Sequence, residues 1–408
     1  MTSIPAARRA CIAGIGETRY ARWGGVTDAS EHRLACEAIL AAVRDAGFDP
    51  HDVDGLTSFA DDRNMAPFLA ADLGLRELRF ANMVWMPGGG GGAAAVANAA
   101  LAVEAGQAEI VVAFRSLCQG QFHRFGRGPG ARRADAPAAL RPATSLLDAA
   151  MGFTVPFGVL NAPIAYALVM RRHMHLYGDS TAAFGHLAVT FRRHAARNPR
   201  AVMRDRPMTL ADHAASPMIA EPFRLFDCCL ETDGACAVVV TTAERARDAR
   251  RPPVAILAHA QGADAGYGYG PFVHVNMPDE TYASGGARGV ARRLWARAGL
   301  GPGDVDVAQL YDHFSGLVLL TLEDFGFCAR GEAAALAETG ALAWPDGRLP
   351  TNTHGGSLSE AYVHGLNHVV EGVRQLRGAS TCQVPDAEVC LVTSAAGVPT
   401  SALLLGRR

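Results

Sequence analysis

The sequence predicts an α/β protein built from two similar halves. One phrase, Ala46-Gly47-Phe48-Asp49-Pro50-His51-Asp52-Val53-Asp54, returns as Ala298-Gly299-Leu300-Gly301-Pro302-Gly303-Asp304-Val305-Asp306 at a constant offset of 252. Each copy follows an apolar strand pattern and an arginine-bearing helical pattern, and each leads into a second apolar run, so each half reads as a strand–helix–strand unit. Between the copies, five consecutive glycines, Gly88 to Gly92, separate a hydrophobic stretch from an alanine-rich helical pattern.

In chain order, Cys11 to Gly16 is a short strand, and His32 to Ala46 has helical spacing that the Ala46–Asp54 phrase ends. Gly55 to Phe59 is the next strand, and Val307 to Tyr311 is its counterpart after the second phrase. The first half covers residues 1–245 and the second 252–408; the charged, proline-ended segment Thr242 to Pro253 joins them. The first half is longer because an insertion, at about 119–222, separates its strands and opens with the loop-like GQFHRFGRGPGARRADAP. Such an insertion is expected to cover a site.

Composition narrows the function. With 49% hydrophobic and 19% charged residues the chain can bury a large core, and a net charge of −2 argues against nucleic acid as the main partner. Nine cysteines, including the adjacent Cys228 and Cys229, form no CxxC pair, which reads as reduced thiols and a cytoplasmic location. Neither a signal peptide nor a membrane-spanning segment is recognised. All 38 basic side chains are arginine; without lysine, Schiff-base catalysis and a lysine-anchored pyridoxal phosphate are excluded.

The glycine run allows close backbone approach at a helix N-terminus, and so either an anion site or tight packing of helix on sheet. No Gly-Lys-Ser/Thr ends the run, and no acidic residue stands where a dinucleotide ribose would need it.

The duplicated halves, the glycine-rich helix start, Asp233-Gly234-Ala235 before a valine strand and His354-Gly355-Gly356 together resemble the thiolase superfamily, in its sterol-carrier-protein-type branch. The resemblance implies the five-layered αβαβα thiolase fold, two βαβαβαββ halves, and a homodimer. It fails where thiolases do their chemistry. No cysteine lies between Cys36 and Cys118, so the acyl-carrying residue of the Pro87-Gly88-Gly89 helix start is missing. The second thiolase cysteine is matched by Ser394-Ala395-Ala396-Gly397, the asparagine box reads Tyr311-Asp312-His313-Phe314, and the catalytic histidine falls on Tyr362.

These motifs, with Leu322 to Cys328 and His354 to Tyr362, are similar to the steroid side-chain aldolases, thiolase-like proteins that split a β-hydroxyacyl-CoA by retro-aldol cleavage. The resemblance implies Tyr311 and Tyr362 as catalytic tyrosines. It also implies a small OB-fold and zinc-ribbon partner in an α2β2 assembly. Coenzyme A enters as part of the substrate, with no covalently bound cofactor. His313, His354 and His364 are the nearby proton-relay candidates, and Gly88, Gly89, Gly355 and Gly356 the candidates for holding a thioester oxyanion. Asp312 and Glu360 orient neighbours or hold backbone N–H groups. His364 and His368 have i,i+4 spacing but no third ligand, so no metal site is assigned. Arg171-Arg172-His173 and Arg192-Arg193-His194 read as solvated basic faces or as contacts to CoA phosphates. An acyltransferase without a cysteine and a non-catalytic lipid-binding subunit remain the alternatives.

Overall fold

The computed structural model describes residues 5–60, 62–84, 89–121, 154–264, 282–395 and 400–407. The strands are β1 (Ala10–Glu17), β2 (Ala21–Arg22), β3 (Gly55–Phe59), β4 (Phe80–Val84), β5 (Ile110–Cys118), β6 (Met218–Ala220), β7 (Phe223–Arg224), β8 (Thr232–Thr242), β9 (Val254–Gly262), β10 (Val307–Gln309), β11 (Val389–Ser394) and β12 (Thr400–Gly406). A mixed sheet runs β10-β11-β12-β9-β1-β8-β5-β3-β4, with β2 on β8; β6 and β7 pair separately. The first-half and second-half strands meet where β1 pairs β9 over Cys11 and Ile12 only.

Alternation along the strands sorts side chains into three cores. On one face of the first-half strands, Ile110, Val112, Ala237 and Val239 pack under the Glu31–Ala46 and Ala66–Leu73 helices. On the outer face of the second-half strands, Ala260, Leu310, Leu391 and Leu404 pack under the Arg288–Ala298 and Ser315–Asp324 helices. Between them lies a third core, formed by Val111, Val238, Val392 and Leu403 with the Gly92–Glu104 and Leu366–Leu376 helices. Helix, sheet, helix, sheet, helix is the resulting order of layers. The Gly92–Glu104 helix is apolar nearly all round because both faces are covered, and its buried alanines permit close approach from both sides.

The repeated phrase does the same work in both halves. Gly47 (φ 79°) and Gly299 (φ 67°) close the preceding helices in the left-handed conformation, and a short 3-10 turn follows each. Asp54 then accepts from the N–H groups of Glu109 and Ile110 at the start of β5; Asp306 accepts from Glu388 and Val389 at the start of β11. In each half the aspartate sets the level of a parallel strand before it can slip.

The insertion opens with a 3-10 turn, Gln119–Gln121, and the rest of its opening loop, 122–153, lies outside the described residues. Its later part forms the Ala162–Tyr177 and Thr181–Arg197 helices, whose Tyr166, Met170, Phe184 and Phe191 join the outer core of the second half. The two basic triplets on these helices are not uniformly solvated. His173 is buried against Glu323 at 2.9 Å, and Arg192 donates to Ser359 Oγ and Arg206 O. His194 is held between Asn352 O and the Trp344 N–H. Burial with a partner, rather than charge, explains these three residues; Arg171, paired with Glu221, and Arg193 stay on the surface.

Candidate active site

Tyr311 lies two residues past the end of β10. Its position is set by Asn352, which accepts from Leu310 N–H and donates to Leu310 O at 2.7 and 2.8 Å, and by Thr393 Oγ1, which accepts from Tyr311 N–H. Tyr362 is held by one side chain on β8: Thr232 Oγ1 accepts from Tyr362 N–H at 2.9 Å and donates to Tyr362 O at 3.0 Å. The two phenol oxygens consequently stand 3.0 Å apart. Tyr311 is buried and Tyr362 keeps some exposure, so the pair is reached from the Tyr362 side. Burial pushes both phenols well above their ordinary value; at neutral pH each carries its proton.

The glycine run makes room for this pair. A Cβ added at Gly89 would overlap Cζ and Oη of Tyr311, and one at Gly365 would stand 2.9 Å from Tyr311 Cδ2, so two glycines flank the ring. At the start of the Gly92–Glu104 helix, Ala93 N–H donates to Ser394 Oγ and Ala94 N–H to Ser401 Oγ, both at 3.0 Å. Ser394, aligned with the second thiolase cysteine, caps this helix. Any anion-binding capacity therefore narrows to the glycine turn before it; Gly88 lies outside the described residues.

His313 stacks on Tyr311 with ring centroids 4.6 Å apart, while Tyr166 of the insertion meets it edge-on at 4.8 Å. Among the described residues neither ring nitrogen of His313 has a hydrogen-bond partner, and burial lowers its pKa to about 3, so it is neutral. His364 stands edge-on to Tyr362 at 5.0 Å in a positive-φ conformation (50°). Burial, then Arg115, holds it well below the ordinary histidine range.

His354, Gly355 and Gly356 are further back. His354 packs on His368 at 4.9 Å, and His368 in turn meets Tyr311 at 6.3 Å. Gly355 N–H donates to Asn352 O, and Ser357 and Leu358 N–H donate to Asp312, so these donors are turned to the protein. A Cβ at Gly355 would lie 2.6 Å from Ala195 Cβ, and one at Gly356 would overlap Asp312 Oδ2; both positions are tight packing points with positive φ. Asp312 also faces His368 Nε2 at 3.2 Å, and Glu360 accepts from Asn198 and Asn367. His364 precedes the Leu366–Leu376 helix instead of sharing a face of it with His368. Among the described residues no group of three or more His, Cys, Asp or Glu is arranged to hold a metal ion.

Two further residues complete the surroundings of the phenol pair. Arg115, an arginine inside the otherwise apolar β5, is fully buried and paired with Asp62 at 2.6 Å. A charge in a run such as IVVAFRSLC is the signal that marks it. Tyr166 joins the site only through packing of the insertion, which no local pattern encodes.

Residues 272–405 match the family model described as thiolase C-terminal domain-like. Over 408 residues, 100% of this chain and 99% of its relative, the sequence is 44% identical to a steroid side-chain-cleaving aldolase of Thermomonospora curvata. The chain belongs to the thiolase superfamily, in the group of the steroid side-chain-cleaving aldolases. This thiolase-like chain is also 44% identical, over 98% of its length and 99% of the relative's, to a 17-hydroxy-3-oxo-4-pregnene-20-carboxyl-CoA lyase of Mycobacterium tuberculosis. A solved structure described as an Ltp2-ChsH2(DUF35) aldolase superposes with a TM-score of 0.87 at 42% identity, covering 99% of both chains. Human mitochondrial 3-ketoacyl-CoA thiolase, at 13% identity, shares the fold with a TM-score of 0.67, covering 99% of this chain and all of that one.

Proposed function

We propose that this chain is an acyl-CoA carbon–carbon lyase that cleaves a β-hydroxyacyl-CoA to a ketone and a shorter acyl-CoA, with Tyr311 and Tyr362 transferring the proton. The observation that carries the reading is the pair of phenols 3.0 Å apart beside a glycine turn, where a thiolase would hold its nucleophile. Steroid side-chain intermediates are the substrate class, by similarity to the named relatives.

In the retro-aldol step the β-hydroxyl loses its proton, the Cα–Cβ electron pair passes into the thioester enolate, the Cβ–O unit becomes a ketone, and Cα takes up a proton. The alcohol proton and the Cα proton balance. A pair of hydrogen-bonded phenols suits this exchange: one accepts the alcohol proton while its own crosses to the second, which protonates the enolate. No phenolate accumulates, which agrees with burial raising both pKa values. The glycine turn and His364 supply neutral donors where the enolate oxygen develops charge. His313 serves the alcohol side, and His354, Gly355 and Gly356 hold Asp312 and the Leu366–Leu376 helix in place behind it.

The working assembly is a homodimer completed by a small OB-fold and zinc-ribbon protein, α2β2, in the cytoplasm. The description of one structural relative, Ltp2-ChsH2(DUF35) aldolase, names a second, DUF35 component, which supports a partner. Among the described residues no helix is long and apolar enough to cross a membrane.

The test is incubation with a panel of β-hydroxyacyl-CoAs, with and without the partner, followed by mass spectrometry of both products. Ketone and shortened acyl-CoA without added free CoA are expected, most rapidly with the partner present. A requirement for free CoA or a second acyl group would instead indicate an acyltransferase, and binding without turnover a carrier.

A further inference from the structure

Arg115 and Asp62 form a buried ion pair directly behind His364. Arg115 projects from β5 with its side chain 1% exposed and that of Asp62 fully buried. Its guanidinium divides its donors three ways: Nη1 to Asp62 Oδ2 at 2.6 Å, Nη2 to Ala60 O at 2.9 Å, and Nε to His364 Nδ1 at 3.2 Å. The Phe59 ring covers it from one side, 5.9 Å from ring centroid to guanidinium carbon. Ala60 and His364 both have positive φ, 59° and 50°, and the guanidinium holds the carbonyl of the first and the imidazole of the second.

We propose that Asp62 and Arg115 are positioning residues that lock His364 as the neutral tautomer with its proton on Nε2. An arginine has donors only, so the nitrogen facing it must present a lone pair, and the single imidazole proton is left on the opposite nitrogen. Asp62 orients the guanidinium and compensates its charge, without which a buried cation would be too costly. Among the described residues, Arg115 and Arg63 oppose an imidazolium at His364, the Asp62 carboxylate is engaged by Arg115, and His313 and Tyr362 are uncharged at neutral pH. The histidine beside Tyr362 is thus a fixed donor that does not exchange protons during turnover. Its assignment to the enolate side rests on the lyase reading; the tautomer itself does not.

The two levels separate experimentally. In 15N-histidine-labelled protein, with the His364 signals identified by their loss in His364→Gln, Nδ1 should appear as the unprotonated nitrogen and Nε2 as the protonated one from pH 5.5 to 8.5. A proton on Nδ1, or an imidazolium in that range, overturns the proposal whatever the reaction turns out to be. In Arg115→Lys, which keeps the charge opposite Asp62, and in the charge-balanced Asp62→Asn/Arg115→Met, the His364 tautomers should mix. Should the double variant fail to fold, the lysine variant decides. For activity, His364→Gln presents an acceptor to Arg115 and a donor on the far side, and should retain turnover within about tenfold, whereas His364→Leu should lose about 10² or more. Equal losses in the glutamine and leucine variants would show that His364 exchanges protons and overturn its role as a fixed donor.

Discussion

Replacing Tyr362 by phenylalanine removes one oxygen and leaves the ring that stacks toward Tyr311 and stands against His364. Two consequences follow and have different sizes. The 3.0 Å hydrogen bond to Tyr311 is lost, which costs about 0.5–1.5 kcal/mol for a neutral pair and about 1–3 kcal/mol if the Tyr311 hydroxyl is left without a partner. A protein with a stability of about 5–15 kcal/mol survives that loss. If the hydroxyl carries the proton between alcohol and enolate, turnover should fall by about 10²–10⁴, equivalent to about 2.7–5.5 kcal/mol of barrier. Single-turnover cleavage followed by mass spectrometry, beside thermal unfolding by circular dichroism, measures both effects on one preparation. Tyr311→Phe should behave alike. Because the phenols act as one relay, the double variant should be no slower than the slower single variant, since independent losses would add. Both phenols lie well above 10, so wild-type turnover should not decline through phenol ionisation below about pH 10. A Tyr362→Phe variant with kcat within about threefold of wild type would refute the relay and leave His313 or His364 to carry the proton.

Gly89→Ala places a methyl group on the Tyr311 phenol, so it should cost about 1–3 kcal/mol of stability and lower kcat by displacing that hydroxyl; wild-type kinetics would show that Tyr311 can move without consequence. Iodoacetamide at pH 7 should leave turnover intact. Burial pushes the thiols of Cys118, Cys228, Cys328 and Cys382 up to about 11 or 12 and that of Cys229, whose N–H donates to His313 O, well above its ordinary value; inactivation mapped to Cys229 would contradict this. Asp324, at the end of the Ser315–Asp324 helix, is raised by burial from 3.8 to about 7. Its folded value exceeds its unfolded one, so its contribution is present below pH 3.8 and is lost as pH rises through 7, by up to about 4 kcal/mol. Asp324→Asn should therefore be more stable than wild type at pH 8 in urea unfolding and should flatten the change between pH 5.5 and 8. An unchanged pH dependence would disprove the assignment.

The repeated phrase was legible because it is local chemistry: a glycine that ends a helix, a proline turn and an aspartate that caps the neighbouring strand must occur in that order wherever the unit is built. The two halves, their layered α/β class and the missing thiolase cysteines could all be read from one dimension. So could the candidacy of Tyr311 and Tyr362, by motif position. What residues 51 apart in sequence do to each other could not. The phenol pair exists because Asn352 and Thr393 hold one tyrosine, Thr232 holds the other, and two glycines from separate segments leave room for the Tyr311 ring. The histidines divided for the same reason. His313 and His364 reach the phenols, whereas His354 is separated from Tyr311 by the His368 ring. Their neutrality comes from burial, which depends on every layer packed around them and has no local signature. Arg115 marks the boundary between the two kinds of information. Its oddity inside an apolar strand is visible in the sequence, but the partners that make it tolerable, Asp62, Ala60 and His364, come from loops that only tertiary folding brings to that strand.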